Sequence, residues 1–149
     1  MGRYPTGVTV VTALDADGAP VGVTVNSFTS VSLTPPLVLV CLGLTSSSHD
    51  ALVATPRFRI HVLADDQTDV AARFAVTPSE QRFDGLAWEG DEPDDPPRIA
   101  DVAAWMSCTL ETVHRAGDHS ILVGRVTAVG TSDREALVFH RGAYGVFTP

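Results

Sequence analysis

Three short strings hold most of the side chains that could do chemistry. Thr45-Ser46-Ser47-Ser48 lines up four hydroxyls, with His49-Asp50 behind them and the apolar stretch 51–54 following. Ser or Thr ahead of a helix, with Asp in its first turn, is an N-cap pattern. The unpaired N–H groups of a helix start, flanked by hydroxyls, suit an anion such as a phosphate. An ordinary capped loop would read the same way. The second string spreads Asn26, Ser27, Thr29, Ser30 and Ser32 between two strand-forming runs, where a plain barrel core would want bulk. Small hydroxyl and amide groups on a strand leave room for a flat polar ligand and can bond its edge. Read alone, they equally describe a strand end and a Ser/Thr-rich turn. The third string is Gly117-Asp118-His119, in which a histidine by default occupies a turn or the surface.

Charge narrows the chemistry further. The 149 residues carry a net charge of −8, and every basic residue is Arg. Without Lys there is no Schiff base and no lysine phosphate clamp, so Arg, hydroxyls, His or backbone N–H groups must hold any anion. An acidic chain with no basic cluster is a poor partner for nucleic acid or an anionic membrane surface. Cys41 and Cys108 lie far apart in apolar runs and read as buried free thiols of an intracellular chain. No apolar run reaches membrane-span length and no signal-peptide pattern opens the chain, which points to the cytoplasm. The five histidines have no zinc-type spacing with cysteine, and no GxGxxG, P-loop or nucleophile elbow occurs.

The elements that must position these strings are mostly strands. Residues 8–14 alternate Val and Thr, Asp15-Ala16-Asp17-Gly18 signals a turn, and 21–26 return as a hairpin partner. Pro35-Pro36 removes two backbone donors and sets an extended entry into 37–42, a near-continuous apolar run that reads as a strand buried on both faces. A short helix ends at Pro56, and 57–63 read as a strand. The spacing of Val70, Ala71 and Phe74 predicts a helix over 66–74. Residues 76–98 form a long acidic, Pro-rich loop, broken by a short strand at 86–88. Residues 103–114, 120–130 and 136–139 are three further strands, the first two a hairpin across 115–118. The expected fold is mainly β, a single-domain antiparallel barrel with short covering helices.

Four motifs in order then make the chain recognisable. Tyr4-Pro5-Thr6-Gly7-Val8-Thr9-Val10-Val11-Thr12, the stretch 21–42, Ala116-Gly117-Asp118-His119-Ser120 and Phe139-His140-Arg141-Gly142-Ala143-Tyr144-Gly145 together resemble the flavin reductase domain family. The resemblance implies an FMN-binding split barrel, normally a homodimer, that reduces FMN or FAD with NADH or NADPH and often serves a partner monooxygenase. It also implies a helix ahead of Pro5, where only Met1-Gly2-Arg3-Tyr4 stand. By the same resemblance Ser46, Ser47 and Ser48 hold the flavin phosphate, with Arg82 as a second contact whose alternative is a solvated surface Arg. Val25, Asn26, Ser27, Ser30, Val31 and Ser32 would wall the isoalloxazine ring. Cys41 and Leu42 would add backbone and side-chain contacts from the neighbouring strand.

His119 would position the nicotinamide and Asp118 would orient it, so these two are the catalytic candidates. Gly117 would let the loop approach closely, and Tyr144 would close the flavin pocket. No metal is expected. The absence of Lys leans toward NADH. The same barrel would also serve a flavin-binding module without hydride transfer, such as a carrier, a sensor or an inactive partner subunit. His61 stands where many relatives have Asn.

Overall fold

The computed structural model describes residues 2–148. In chain order the elements are β1 (Thr6–Gly7), β2 (Thr9–Leu14), β3 (Pro20–Val25), β4 (Thr29–Leu33), β5 (Pro36–Gly43), α1 (His49–Ala54), β6 (Arg57–Val62) and α2 (Thr68–Val76). A 3₁₀ turn (Ser79–Gln81) follows, then β7 (Trp88–Glu89), β8 (Arg98–Ile99), β9 (Ala104–Ala116), β10 (His119–Thr131), β11 (Leu137–His140) and β12 (Ala143–Val146). Seven strands form one antiparallel sheet in the order β3-β2-β6-β9-β10-β5-β4, while β1, β11 and β12 make a small second sheet. The edge strands of the seven-stranded sheet, β3 and β4, are consecutive in sequence, so Asn26-Ser27-Phe28 bridges the slit of a split barrel. No helix among the described residues is long and apolar enough to cross a membrane.

Alternation along β2 explains the core. Val11 and Ala13 point into the barrel with Val40, Leu42, Leu52, Phe58, Ile60 and Leu122. Val10 faces the other way, into a second cluster with Val8, Leu63, Val70, Ala71, Phe74 and Leu137 beneath α2 and β11. The strand buried on both faces is therefore β2, not the 37–42 run. In β5 only Val38, Val40 and Leu42 are buried, and Leu37, Leu39 and Cys41 remain partly open because no layer of this chain covers them. Cys41 is accordingly half-buried, whereas burial pushes the Cys108 thiol up to about 12 and leaves it inert. Packing over a glycine is closest at Gly130, where an added Cβ would lie 2.3 Å from the Trp105 ring, and nearly as close at Gly124, 2.5 Å from the Phe58 ring.

Four local details depart from the sequence reading or complete it. The Ser/Thr-rich segment is a strand, β4, and not a turn. α2 begins two residues later than its spacing suggested, because Gln67 caps the end of a loop and accepts from Ala64 N–H at 2.9 Å. β12 went unseen; it returns on β11 across Arg141-Gly142, whose φ values of 53° and 79° fit a type I′ turn. The acidic loop is fastened rather than free: Arg57 bonds Asp95 at 2.7 Å, Arg59 pairs with Asp91, and Arg98 bonds Glu89 at 2.8 Å. Arg98 and Arg59 lie 5.0 and 5.7 Å over the Trp105 ring.

Candidate functional site

The C-terminal end of β5 collects all three polar strings. The β4–β5 ladder stops at Thr29–Leu39, and there the Ser27 side chain takes over the pairing. Its Oγ accepts from Cys41 N–H at 2.9 Å and donates to Cys41 O at 3.0 Å. Val31 is the extra residue of a β-bulge between Ser30 and Ser32, a device that re-aims side chains beside sites. Ser30 and Val31 are exposed and Ser32 is half-buried, so this wall faces outward. Beside it opens a cleft of about 630 Å³, lined by Tyr4, Thr6, Asn26, Ser27, Thr29 and Phe139 among others. A smaller cleft of about 210 Å³, lined by Val8, Thr24, Asn26, Ala75, Phe139 and Tyr144, shares the exposed Asn26. Val25 sits at the rim, its carbonyl accepting from Thr9 Oγ1 at 2.9 Å. Tyr144 tilts against Phe139 with ring centroids 5.5 Å apart.

The serine tract leaves β5 directly after Gly43. Ser47 is exposed and Ser46 half-buried, whereas Ser48 is fully buried. Ser48 occupies the N-cap position of α1 but makes no capping bond; its Oγ donates to Gly22 O at 3.0 Å. Arg82 reaches the same point. It is buried and not a solvated surface group: Nη1 donates to Gly22 O at 2.7 Å and to Ser48 Oγ at 3.3 Å, and Nε donates to Thr77 O at 2.9 Å. Burial pulls its guanidinium below the ordinary arginine range. Ser48 and Arg82 thus seal a carbonyl on the edge strand β3; the open hydroxyls of the tract are those of Thr45 and Ser47, while the half-buried Ser46 Oγ accepts from Ser48 N–H at 3.4 Å.

Gly117-Asp118 makes the two-residue turn between β9 and β10, with His119 paired to Ala116 on one side and Gly43 on the other. Gly117 has φ +63°, as the first position of a type II′ turn requires. No atom of this chain lies within 4 Å of the place its Cβ would take, so within the chain it is the backbone conformation that calls for glycine. Leu44 N–H donates to Asp118 O at 2.9 Å, docking the turn onto the start of the serine tract. His119 is about half exposed, and its Nδ1 lies 2.7 Å from Asp118 Oδ1, as expected of an orienting carboxylate. That bond, with the imidazole nearby, holds the Asp118 carboxyl below the usual carboxylate range.

Two expected contacts are not available. The Leu42 side chain is buried in the barrel core, since alternation turns it away from Cys41, so it cannot touch a ligand on the outer face. The Cys41 backbone is engaged by Ser27, which leaves Cys41 its half-buried side chain to offer. One residue went unnoticed: His49 Nε2 lies 2.9 Å from Ser120 Oγ, joining the serine tract to β10. A lone histidine after a serine run gives no sign of a partner seventy residues away. His61, by contrast, is a core histidine. Its Nδ1 donates to Val10 O at 3.0 Å and its Nε2 accepts from Ile99 N–H at 3.2 Å. Burial lowers its pKa to about 4.

Comparison with known proteins agrees with this architecture. A family described as "Flavin reductase like domain" matches residues 1–148. The chain is 43% identical to a flavin reductase of Pseudomonas putida, over 99% of this chain and 86% of that one. It is 45% identical to the reductase component of a flavin-dependent trigonelline monooxygenase from Acinetobacter baylyi, over 99% of this chain and 46% of that one. Several of its curated relatives are likewise longer, and the chain spans about half the length of some of them. The solved NADH:FAD oxidoreductase SgcE6 of Streptomyces globisporus superposes with a TM-score of 0.91 at 40% identity, covering 99% of this chain and 89% of that one. The same protein has been solved in complex with NAD and FAD fragments.

Proposed function

Because the chain belongs to the flavin reductase like domain family, we propose that residues 1–149 act as one NAD(P)H:flavin oxidoreductase unit, using NADH and either FMN or FAD. One observation carries the reading: the Ser27 wall, the serine tract and the Asp118-His119 turn all meet within a few residues of the end of β5. The relatives named above support the choice of NADH and flavin. The adjoining cleft of about 630 Å³ falls within the range of cofactor sites. On its wall Thr6 Oγ1 is buried and has no hydrogen-bond partner among the described residues, which fits a polar ligand edge.

Bound flavin would supply the redox chemistry, accepting a hydride from the nicotinamide. The chain's own part is to hold and aim. Asn26, Ser30, Ser32 and the bulged Val31 would bound the ring, with Tyr144 at its far side. Ser46 and Ser47 would hold the phosphate, helped by Arg82 through its remaining Nη2. His119, held by Asp118, would receive the nicotinamide, so that two planar groups meet at reacting distance. With α1 only six residues long, the loop hydroxyls matter more than any helix dipole.

A second copy of the chain would cover the open outer face of β5 and the exposed Val31 and Leu33, so we read the unit as a homodimer. A monooxygenase component is the natural consumer of reduced flavin. The test is an anaerobic mixture of protein, FMN or FAD, and NADH. Loss of the flavin's visible absorbance at a protein-dependent rate is the expected result. Protein that binds flavin and leaves it oxidised would instead be a carrier or sensor. Protein that binds neither would end the proposal.

A further inference from the structure

Two links tie the β9–β10 turn to the loop that leaves β5. One is the backbone bond from Leu44 N–H to Asp118 O at 2.9 Å. The other is the His49–Ser120 contact at 2.9 Å, and it is the better protected: the His49 side chain is 12% exposed and Ser120 4%. Its proton order follows from its neighbours. Asp50 Oδ1, 2.9 Å from His49 Nδ1, can only accept, so Nδ1 carries the hydrogen. In the neutral ring Nε2 is then an acceptor, and the Ser120 hydroxyl donates to it. Asp50 is fully exposed, so its bond is weak and the Ser120 contact anchors the ring. Ser120 points inward with Leu122 while His119 points outward. The contact therefore grips the turn from beneath and leaves the outer face free.

We propose that His49 is a positioning residue that fixes the spacing between the phosphate-holding hydroxyls of Ser46 and Ser47 and the nicotinamide-facing His119, acting through Ser120. This inference rests on the flavin reductase reading for its consequence, though the clamp itself can be tested without flavin. His49 belongs to the segment that carries Ser46 and Ser47, and Ser120 adjoins His119, so breaking the pair loosens both halves of the site and leaves the Leu44–Asp118 bond as the remaining link between turn and loop.

The experiment is a double-mutant cycle of His49→Ala and Ser120→Ala. In cofactor-free protein, amide exchange at Leu44 and across residues 116–120 should rise roughly tenfold in either single variant, and no further in the double. In flavin-loaded protein the flavin Kd and the KM for NADH should rise together, roughly fivefold, again without addition in the double. His49→Gln, which keeps an acceptor near Ser120, should recover most of the loss and covers the case in which the alanine variants fail to fold. Unchanged exchange, or effects of the two changes that simply add, would overturn the clamp. Wild-type protein that binds no flavin would instead sink the functional reading, while the exchange result would still judge the clamp.

Discussion

His61 and His119 stand near opposite ends of the β9–β10 hairpin, and burial makes them different kinds of residue. His61, opposite Trp105, is sealed between Val10 and Ile99 with both ring nitrogens occupied. His119, beside the turn, is half exposed and held only at Nδ1, by Asp118. One end of the hairpin uses an imidazole as a peptide-like spacer between backbones; the other leaves an imidazole nitrogen for something outside the chain. The same contrast separates the fastened acidic loop from the serine tract. Polar groups that answer each other inside the protein are structural, and those left open are the ones a ligand could meet.

The largest expected effect breaks or upholds that contrast directly. His61→Ala orphans the Val10 carbonyl and the Ile99 N–H, and should cost about 3 kcal/mol in urea unfolding, whereas His119→Ala should stay within about 0.5 kcal/mol of wild type. Equal losses would dissolve the distinction.

Acid should act almost as strongly. The folded pKa of His61, about 4, lies below its unfolded value near 6.5, so its contribution is complete above pH 6.5 and is lost as pH falls toward 4. The loss amounts to about 3 kcal/mol, and His61→Asn should flatten that part of the stability–pH curve. A profile unchanged by this substitution would contradict the buried neutral ring.

A smaller effect probes the open end. Ser27→Ala removes both bonds to Cys41 and should cost about 1 kcal/mol of stability while weakening flavin binding. Calorimetry and flavin titration on one preparation would check both parts. Lost stability with unchanged flavin affinity would move Ser27 to the structural side.

Much of this was legible in the sequence, for identifiable reasons. Hairpins announced themselves through Asp15-Ala16-Asp17-Gly18 and Gly117-Asp118, where local turn chemistry suffices. Hydroxyl runs and the Gly-Asp-His string stand out by polarity, but read alone they also describe turns and capped loops, and only the family resemblance gives them site roles. What stayed hidden depends on contacts across the fold. Nothing local says that Val10 and Val11 meet two different cores while the more apolar β5 meets one. Nor does a single letter show that Arg82 is turned inward to the Gly22 carbonyl, or that Leu42 faces away from Cys41's side of the sheet. Nor does the sequence reveal that Gly117 also has to supply a positive φ.

The most direct test compares Michaelis constants for wild type and His119→Ala. If His119 receives the nicotinamide beside a separately held flavin, KM for NADH should rise roughly tenfold while KM for flavin changes less than about twofold. Equal increases for both substrates, or none for NADH, would contradict the account.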